Sequence, residues 1–442
     1  GDAQIFAPTA AYNMDVAAFL AKWLTDLDDG QRPTGAYTDF APFIFGPKTE
    51  FDNDFTYTHT ASAGWADAPP IIAWLLYERY ADRTALRCHY DAMKRWMAHN
   101  ERLYPSGIRC DAPQYGDWLS LEERPPEETK REFGWLVAGH STTPYDVFST
   151  AYYAYGAKLM AQIARAIGEE ADAARFDALF AFVRAAFIRE FVDGEGRIRG
   201  DTQTVYALAL AWDLVPERLR EAAFGRLVAK LETEDGKVRA ATGFHGTKYL
   251  MEVLSDNGRE DLAFRLLLRE EYPSWLYSVR QGATTVWERW DGWTEERGFQ
   301  DPGMNSLCHY AFGSVGEWLY RYVGGIRHDP SAPGFVKAII RPRPFGRLTS
   351  AKCAYDSIAG VFATDWRLQG SAFELTVTVP ANATAVVYVP SAAGTAVLES
   401  GLRAETAEGV AALGRSGDSE VYRVAAGTYT FRSDVGHGEE RT

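Results

Sequence analysis

Cysteine is scarce in this sequence: only Cys88, Cys110, Cys308 and Cys353, far apart and without a CxxC pair. That spacing argues against a disulfide framework and a thiolate metal site, and the four are expected to be buried thiols in a reducing compartment. No run approaches the ~18 consecutive apolar residues of a spanning helix, so no membrane partner is expected. No secretory signal is visible either. Basic charge is also short. Lys and Arg number 46 against 60 Asp and Glu, for a net charge of −14, and the longest basic cluster (Arg341, Arg343, Arg347) is interrupted by prolines. A nucleic-acid or phosphate-binding surface is therefore not expected. No HxxxH, EF-hand spacing or His/Cys cluster occurs, so neither a metal nor another cofactor is expected. The chain opens Gly1-Asp2 rather than with Met. It is expected to be a processed or excised piece, and the compartment is left between cytoplasm and periplasm.

What the chain has is apolar and aromatic mass: 46% of its 442 residues are hydrophobic and 14% aromatic. That is enough for one large domain and a smaller one. Up to about residue 326 the period is helical. Residues 146–167 repeat apolar side chains three and four apart behind Thr143-Pro144, and 170–192 follow as a second amphipathic helix ended by Asp193-Gly194. Similar pairs are expected at 202–214 with 216–231, and at 247–254 with 261–270. Before them, 12–27 and 70–80 with 84–103 have the same texture, and a last helix is expected over 306–322. Successive helix hairpins suggest a toroid with long loops at one end, including 104–144 and 273–305. Loops of that length in a compact domain usually carry function. After Ile326 the period changes to two, in 373–379, 385–389 and 429–431, bounded by Pro, Gly and Asn. This predicts antiparallel strands. The expected organisation is a helical barrel over 1–327, a small β-sandwich over 328–434 and a frayed tail over 435–442.

One loop segment carries chemistry. In 282–293, Glu288 stands between Trp287 and Trp290, with glycines at both ends. A pyranose stacks its C–H face on an aromatic ring while a neighbouring carboxylate handles a proton or a water. Core packing with a solvated glutamate fits the same residues.

The order of several motifs decides between them. Gly1-Asp2-Ala3-Gln4, Ala63-Gly64-Trp65-Ala66-Asp67-Ala68, Tyr115-Gly116-Asp117-Trp118-Leu119 and Thr284-Thr285-Val286-Trp287-Glu288 come first. Met304-Asn305-Ser306, His309-Tyr310-Ala311-Phe312-Gly313 and Val379-Pro380-Ala381-Asn382-Ala383-Thr384-Ala385 follow. In this order they resemble bacterial α-L-rhamnosidases of glycoside hydrolase family 78, from Gly1 to about Phe431. The resemblance implies a mainly α fold, an (α/α)6 barrel followed by a β-sandwich, and hydrolysis with inversion. Inversion requires two carboxyl groups roughly 6.5–9.5 Å apart. By motif, Glu288 corresponds to the general base, with its flanking tryptophans drying the site. His309 and Asp2 correspond to contacts with the sugar, and Trp65 and Trp118 to aromatic walls facing its ring and C6 methyl. Asp117 is a candidate sugar contact that could equally cap the turn before Trp118.

The resemblance places the general acid on a glutamate a few residues upstream of the Gly-Asp pair, beyond Gly1, along with further upstream domains. Glu122, Glu123, Glu127 and Glu128 are weak substitutes in a charged, Pro-rich loop, and Glu317 is expected to be an exposed helix residue. The expected activity is an inverting exo-α-L-rhamnosidase acting on rhamnose-containing glycosides or polysaccharides. Alternatives are a non-catalytic or degenerate rhamnoside-binding protein and another (α/α)6-barrel carbohydrate enzyme, including a lyase. Oligomeric state, including a homo-oligomer, is left open.

Overall fold

A computed structural model describes residues 1–44, 59–110, 115–121, 141–233 and 235–436. Glu122, Glu123, Glu127, Glu128 and the end of the tail lie outside them.

The helical half opens with α1 (Asp2–Asn13) and α2 (Ala17–Asp29), α2 packing on α3 (Ala68–Tyr80), which pairs with α4 (Arg83–Leu103), and α5 (Tyr145–Ile167) pairs with α6 (Glu170–Phe191). It continues with α7 (Gln203–Ala211) and α8 (Glu217–Leu231), α9 (Phe244–Asp256) and α10 (Glu260–Leu267), and the short α11 (Trp275–Arg280). A last segment runs through a 3-10 turn (Ala311–Ser314), an α turn (Val315–Trp318) and a π turn (Leu319–Val323). The odd-numbered helices α1 to α9 and this segment form a closed inner ring, each packed on the next, and the even-numbered helices lie outside.

Burial follows from that placement. Outer helix α8 buries one stripe, Leu219, Ala223, Leu227 and Leu231, each four residues from the last. Inner helix α7 buries Gln203 to Leu210 without a break, because it has neighbours on every side. Local chemistry sets the ends. Asp82 accepts from the amides of Thr84 (2.9 Å) and Ala85 (3.0 Å) at the start of α4, and Thr202 caps α7 through Val205. Gly168, at φ 88°, ends α5 in the left-handed conformation that only glycine adopts without strain.

The strands form two sheets beyond a two-stranded ribbon at 293–299. The six-stranded sheet runs β10 (Leu402–Arg403), β9 (Leu398–Glu399), β13 (Gly427–Asp434), β7 (Ala372–Val379), β6 (Gly360–Gln369), β5 (Ser350–Ser357). The five-stranded sheet runs β11 (Val410–Ser416), β12 (Ser419–Val424), β8 (Thr384–Pro390), β4 (Lys337–Ile340), β3 (Ile326–His328). The inner faces meet through residues such as Phe373, Leu375, Val377, Val387 and Phe431, all at most 1% exposed. The main apolar core runs without a break from barrel to sandwich.

Three expectations are corrected. Cys88, Cys110 and Cys308 are exposed and Cys353 is half-buried. Cys88 lies on an outer helix, Cys110 and Cys308 in loops and Cys353 on a strand, where each can face solvent without exposing a large apolar side chain. The segment 12–27 is two helices rather than one. Asn13 turns its amide back onto the Thr9 carbonyl (2.8 Å) and Asp15 accepts from the Ala17 amide (3.2 Å), so side chains interrupt the helix ladder between them. Glu317 is only 5% exposed. It accepts from Arg79 (3.1 Å) and Lys248 and lies 3.6 Å from Arg321, at the end of the barrel that meets the sandwich.

Candidate active site

The inner helices converge with their N-terminal ends on one cavity of 1010 Å³. Asp2 opens α1, Trp65 precedes α3, Tyr115 and Trp118 precede α5, Phe244 opens α9, and His309 precedes the last inner segment. All line the cavity together with Glu288, Asp39 and Tyr310. Helix N-termini favour negative charge, so carboxylates are well placed at this end.

Glu288 is held by strand-like pairing inside a loop. Its amide donates to the Ser306 carbonyl (2.9 Å), and its Oε2 accepts from the Ser306 amide (2.8 Å). The His309 amide donates to the Val286 carbonyl (2.8 Å), and the Thr285 hydroxyl donates to the Leu307 carbonyl. Residues 285–288 thus run beside 306–309, which brings Glu288 and His309 to one wall. One carboxylate oxygen is committed to Ser306. The other has no hydrogen-bond partner among the described residues and is free for a water or a hydroxyl. His309 Nε2 lies 3.5 Å from Asp2 Oδ2, and its ring leans on Phe244 with centroids 5.0 Å apart.

Trp65 is fixed from several sides. Its ring centroid lies 4.7 Å from those of Tyr115 and His245. The turn that carries it hangs on two buried carboxylates. Asp39 accepts from the Ser62 amide (2.9 Å) and hydroxyl (2.7 Å). Asp67 accepts from the Gly64 amide (2.9 Å) and the Trp96 indole (3.0 Å) and pairs with Arg109 at 3.1 Å. Gly64 has φ +80°, and a Cβ there would lie 2.5 Å from the His245 ring. His245 is fully buried and kept neutral by desolvation, which pushes its pKa well below the ordinary value. Its Nδ1 meets the Tyr152 hydroxyl at 2.5 Å.

Asp117 does not line the cavity, and the expectation of a sugar contact there is corrected. It is 0% exposed. Its carboxylate accepts from the amides of Gly243 (2.7 Å), His245 (2.8 Å) and Gly246 (3.0 Å) and from the Thr204 hydroxyl. It therefore satisfies the unpaired N–H groups at the start of α9. The Phe244 amide completes the tie to the Trp118 carbonyl (3.0 Å). Gly243 is required by this approach, because a Cβ there would lie 2.3 Å from the Trp118 carbonyl oxygen. Asp117 places the Trp118 wall without touching what the wall faces. Asp117→Asn leaves at least one buried N–H unpaired and is expected to cost about 2 kcal/mol, measured by urea unfolding, while loosening Trp118.

The tryptophans beside Glu288 are also not walls. Trp287 and Trp290 are 8% and 6% exposed. Trp290 stacks on Phe312 at 4.0 Å and meets Trp275 edge-on at 5.3 Å, within a small separate core. Neither lines the cavity.

Tyr115, Asp39, Phe244 and Tyr310 line the cavity but escaped the sequence reading. Tyr115 donates to or accepts from His59 Nδ1 at 2.6 Å. Burial, with Asp39 and Asp2 nearby, raises its pKa, so the hydroxyl keeps its proton. Asp39 is 4% exposed, and desolvation, opposed by the Ser62 hydrogen bonds, raises its carboxyl to about 7. Its one sequence signal, an Asp three residues before a proline, is common in turns. The folded protein holds this proton after the unfolded chain has released it. Stability from this group is therefore fully present below pH 3.8 and is lost as pH rises toward about 7. Asp39→Asn should remove that slope, read as the thermal midpoint between pH 4 and 8.

Among the described residues no group of three His, Cys, Asp or Glu could hold a metal ion, and no helix is long and apolar enough to cross a membrane. What the cavity presents is an aromatic-walled chamber with one pinned carboxylate (Glu288), an Asp–His pair and a buried carboxyl (Asp39) raised to about 7. That suits a polar ring with one apolar face and proton transfer at one position.

Comparison with known proteins fits this arrangement. Residues 1–323 match the family model described as the bacterial alpha-L-rhamnosidase 6 hairpin glycosidase domain, and residues 325–402 match the bacterial alpha-L-rhamnosidase C-terminal domain. An alpha-L-rhamnosidase of Streptomyces avermitilis is 41% identical over 391 residues, covering 88% of this chain and 34% of that protein. One from Formosa agariphila is 37% identical over 392 residues, covering 88% of this chain and 39% of that protein. The chain thus spans little more than a third of their length. The crystal structure of the Streptomyces avermitilis alpha-L-rhamnosidase complexed with L-rhamnose superposes with a TM-score of 0.85 at 38% identity, over 98% of this chain and 38% of that one. That of the native Aspergillus terreus enzyme gives 0.79 at 29%, over 98% and 45%.

Proposed function

The chain belongs to the bacterial α-L-rhamnosidase family, and on that premise we propose that it forms the catalytic part of an exo-acting hydrolase that releases terminal α-L-rhamnose with inversion. The observation that carries the reading is that Asp2, Trp65, Trp118, Glu288 and His309, from well-separated stretches of sequence, line one cavity. The proposal includes the division into a catalytic barrel and a β-sandwich expected at 1–327 and 328–434, with the boundary drawn ahead of Ile326 because β3 (Ile326–His328) belongs to the sandwich.

In this reading Glu288, oriented by Ser306, takes a proton from a water as that water's oxygen bonds to the anomeric carbon. The bond from that carbon to the aglycone oxygen breaks, and the leaving oxygen takes a proton from a carboxylic acid contributed from upstream of Gly1. Both proton transfers accompany an oxocarbenium-like transition state. Asp2 and His309 hydrogen-bond the ring hydroxyls, and their mutual contact fixes which of them faces each hydroxyl. Trp65 and Trp118 take the apolar side of the ring, where a C6 methyl replaces a hydroxymethyl group. Asp39 adds a buried donor at the floor of the cavity below pH 7.

Initial rates of the full-length protein on a panel of aryl glycosides test the reading. Turnover of the α-L-rhamnoside well above the others is expected; turnover confined to a different sugar would overturn it.

A further inference from the structure

Away from the cavity, the fold assembles basic residues that the sequence scatters. In the five-stranded sheet Arg327 stands opposite Ile339, Ile339 beside Val386, and Val386 opposite Arg423, so these side chains form one row. Ala338, Ile340, Val387 and Val424 alternate with them at 0% exposure, facing the other sheet. The row therefore stands on the face turned away from the other sheet. At one end Arg327 lies against the barrel, its guanidinium 5.4 Å from the Tyr322 ring, and further along β12 Val421 and Ser419 on this face are buried. Arg341 extends β4 onto that face. Its amide donates to the Gly325 carbonyl (2.8 Å), and its guanidinium lies 4.8 Å over the Tyr388 ring. Lys337 opens the same strand on the same face and is exposed, as is Arg423. Strand spacing puts Arg327, Arg341 and Arg423 about 8–14 Å apart across a floor of Ile339, Val386 and Tyr388.

The barrel supplies some counter-charge. Glu260 pairs with Arg343 at 2.7 Å, and Asp256 stands 3.9 Å from Arg327. Asp418 acts on Arg341, and Asp329 on Lys337, only from a distance. Among the described residues Lys337, Arg341 and Arg423 make no ion pair, and the Arg341 Nε is buried without a hydrogen-bond partner. Desolvation, with Arg343 and Arg327 beside it, lowers the pKa of Arg341. A chain of net charge −14 thus keeps three cations together without neutralising them, around an apolar and aromatic strip.

We propose that this face of the β-sandwich binds an acidic polysaccharide. Sugar rings rest their C–H faces on Tyr388 and the Ile339–Val386 floor, and carboxylate or sulfate groups pair with Arg341, Arg423 and Lys337. Intermittent charge on an otherwise neutral chain matches isolated cations on an apolar strip. A nucleic acid, with a charge on every residue, would meet the overall negative field of the protein. The proposal is independent of the catalytic reading, since binding needs no turnover.

Affinity electrophoresis of the full-length protein in native gels tests it, with partly methyl-esterified polygalacturonate (intermittent carboxylates), κ-carrageenan (one sulfate per disaccharide) or neutral dextran in the gel. Retardation by an anionic polymer, relieved by salt, with none by dextran, is the expected result. The more effective of the two anionic polymers distinguishes carboxylate from sulfate recognition. Arg341→Gln with Arg423→Gln should weaken retardation about tenfold, and Tyr388→Ala should weaken it with no change in charge. The thermal midpoint reports whether each variant is folded; Arg423→Gln, at an exposed site, carries the test if the double variant is not. No retardation by either anionic polymer, equal retardation of the variants, or equally strong retardation by duplex DNA would overturn the proposal.

Discussion

Glu288→Gln is expected to lower kcat on an aryl α-L-rhamnoside by about 10³-fold, with KM changed only a few-fold. A positioned general base contributes roughly 10²–10⁴ in rate, and the amide cannot take the proton that water must lose. The substitution is nearly isosteric, and the Gln carbonyl can still accept from the Ser306 amide that holds the carboxylate at 2.8 Å. Binding and fold should therefore survive while the chemical step fails, the pattern of an interaction needed only in the transition state. Activity within tenfold of the parent, in a variant with an unchanged thermal midpoint, would remove Glu288 from the mechanism.

The largest stability effect is expected at the opposite end of the barrel, for Glu317→Gln. Burial alone would raise this carboxyl, but Lys248, Arg321 and Arg79 outweigh it and bring it from 4.5 to about 2. Removing the charge leaves Arg79, Lys248 and Arg321 buried with only Glu252, 3.6 Å from Lys248 and 2.6 Å from Arg321, to answer them. Breaking a buried ion pair from one side costs about 3–5 kcal/mol. The sign with pH follows from the lowered value. The contribution is present above pH 4.5 and is lost as pH falls toward about 2, so the parent should lose stability on acidification where the variant does not. Urea unfolding at pH 7 and pH 3 measures both, and a variant as stable as the parent at pH 7 would contradict the assignment.

What the sequence shows of this fold depends on where each helix sits. Outer helices are legible because solvent on one side forces a stripe, as in Ala173, Phe176, Val183 and Phe187 of α6. Inner helices are surrounded, so α1, with Pro8 inside it and apolar and polar residues alike buried, shows no period and was not expected before residue 12. The last inner segment was expected from residue 306, but it begins at Ala311 because Ser306 and His309 pair with 286–288 instead. Strands were clearer: the alternation in 373–379 and 385–389 falls within β7 and β8, where one face meets the other sheet.

The site shows the same division. Motif resemblance named Asp2, Trp65, Trp118, Glu288 and His309, and these share the cavity. Sequence adjacency misled where it stood in for space. Trp287 and Trp290 neighbour Glu288 in the chain and pack away from the cavity, while Tyr115 and Phe244 reach it from elsewhere. Asp117 has the residue type of a sugar contact and the surroundings of a helix cap. Only the position of its oxygens under three backbone amides separates the two roles. The basic face of the sandwich was invisible for a related reason, since Arg327, Arg341 and Arg423 become neighbours only through strand register.

The proposed reaction is a single displacement of the aglycone by water activated at Glu288. Proton NMR of the full-length protein hydrolysing an aryl α-L-rhamnoside tests it directly, by following the anomeric signal before mutarotation. β-L-rhamnose appearing first, with the α anomer growing in only by mutarotation, is the predicted result. α-L-rhamnose as the first product would mean two displacements and a covalent intermediate, and would contradict the account.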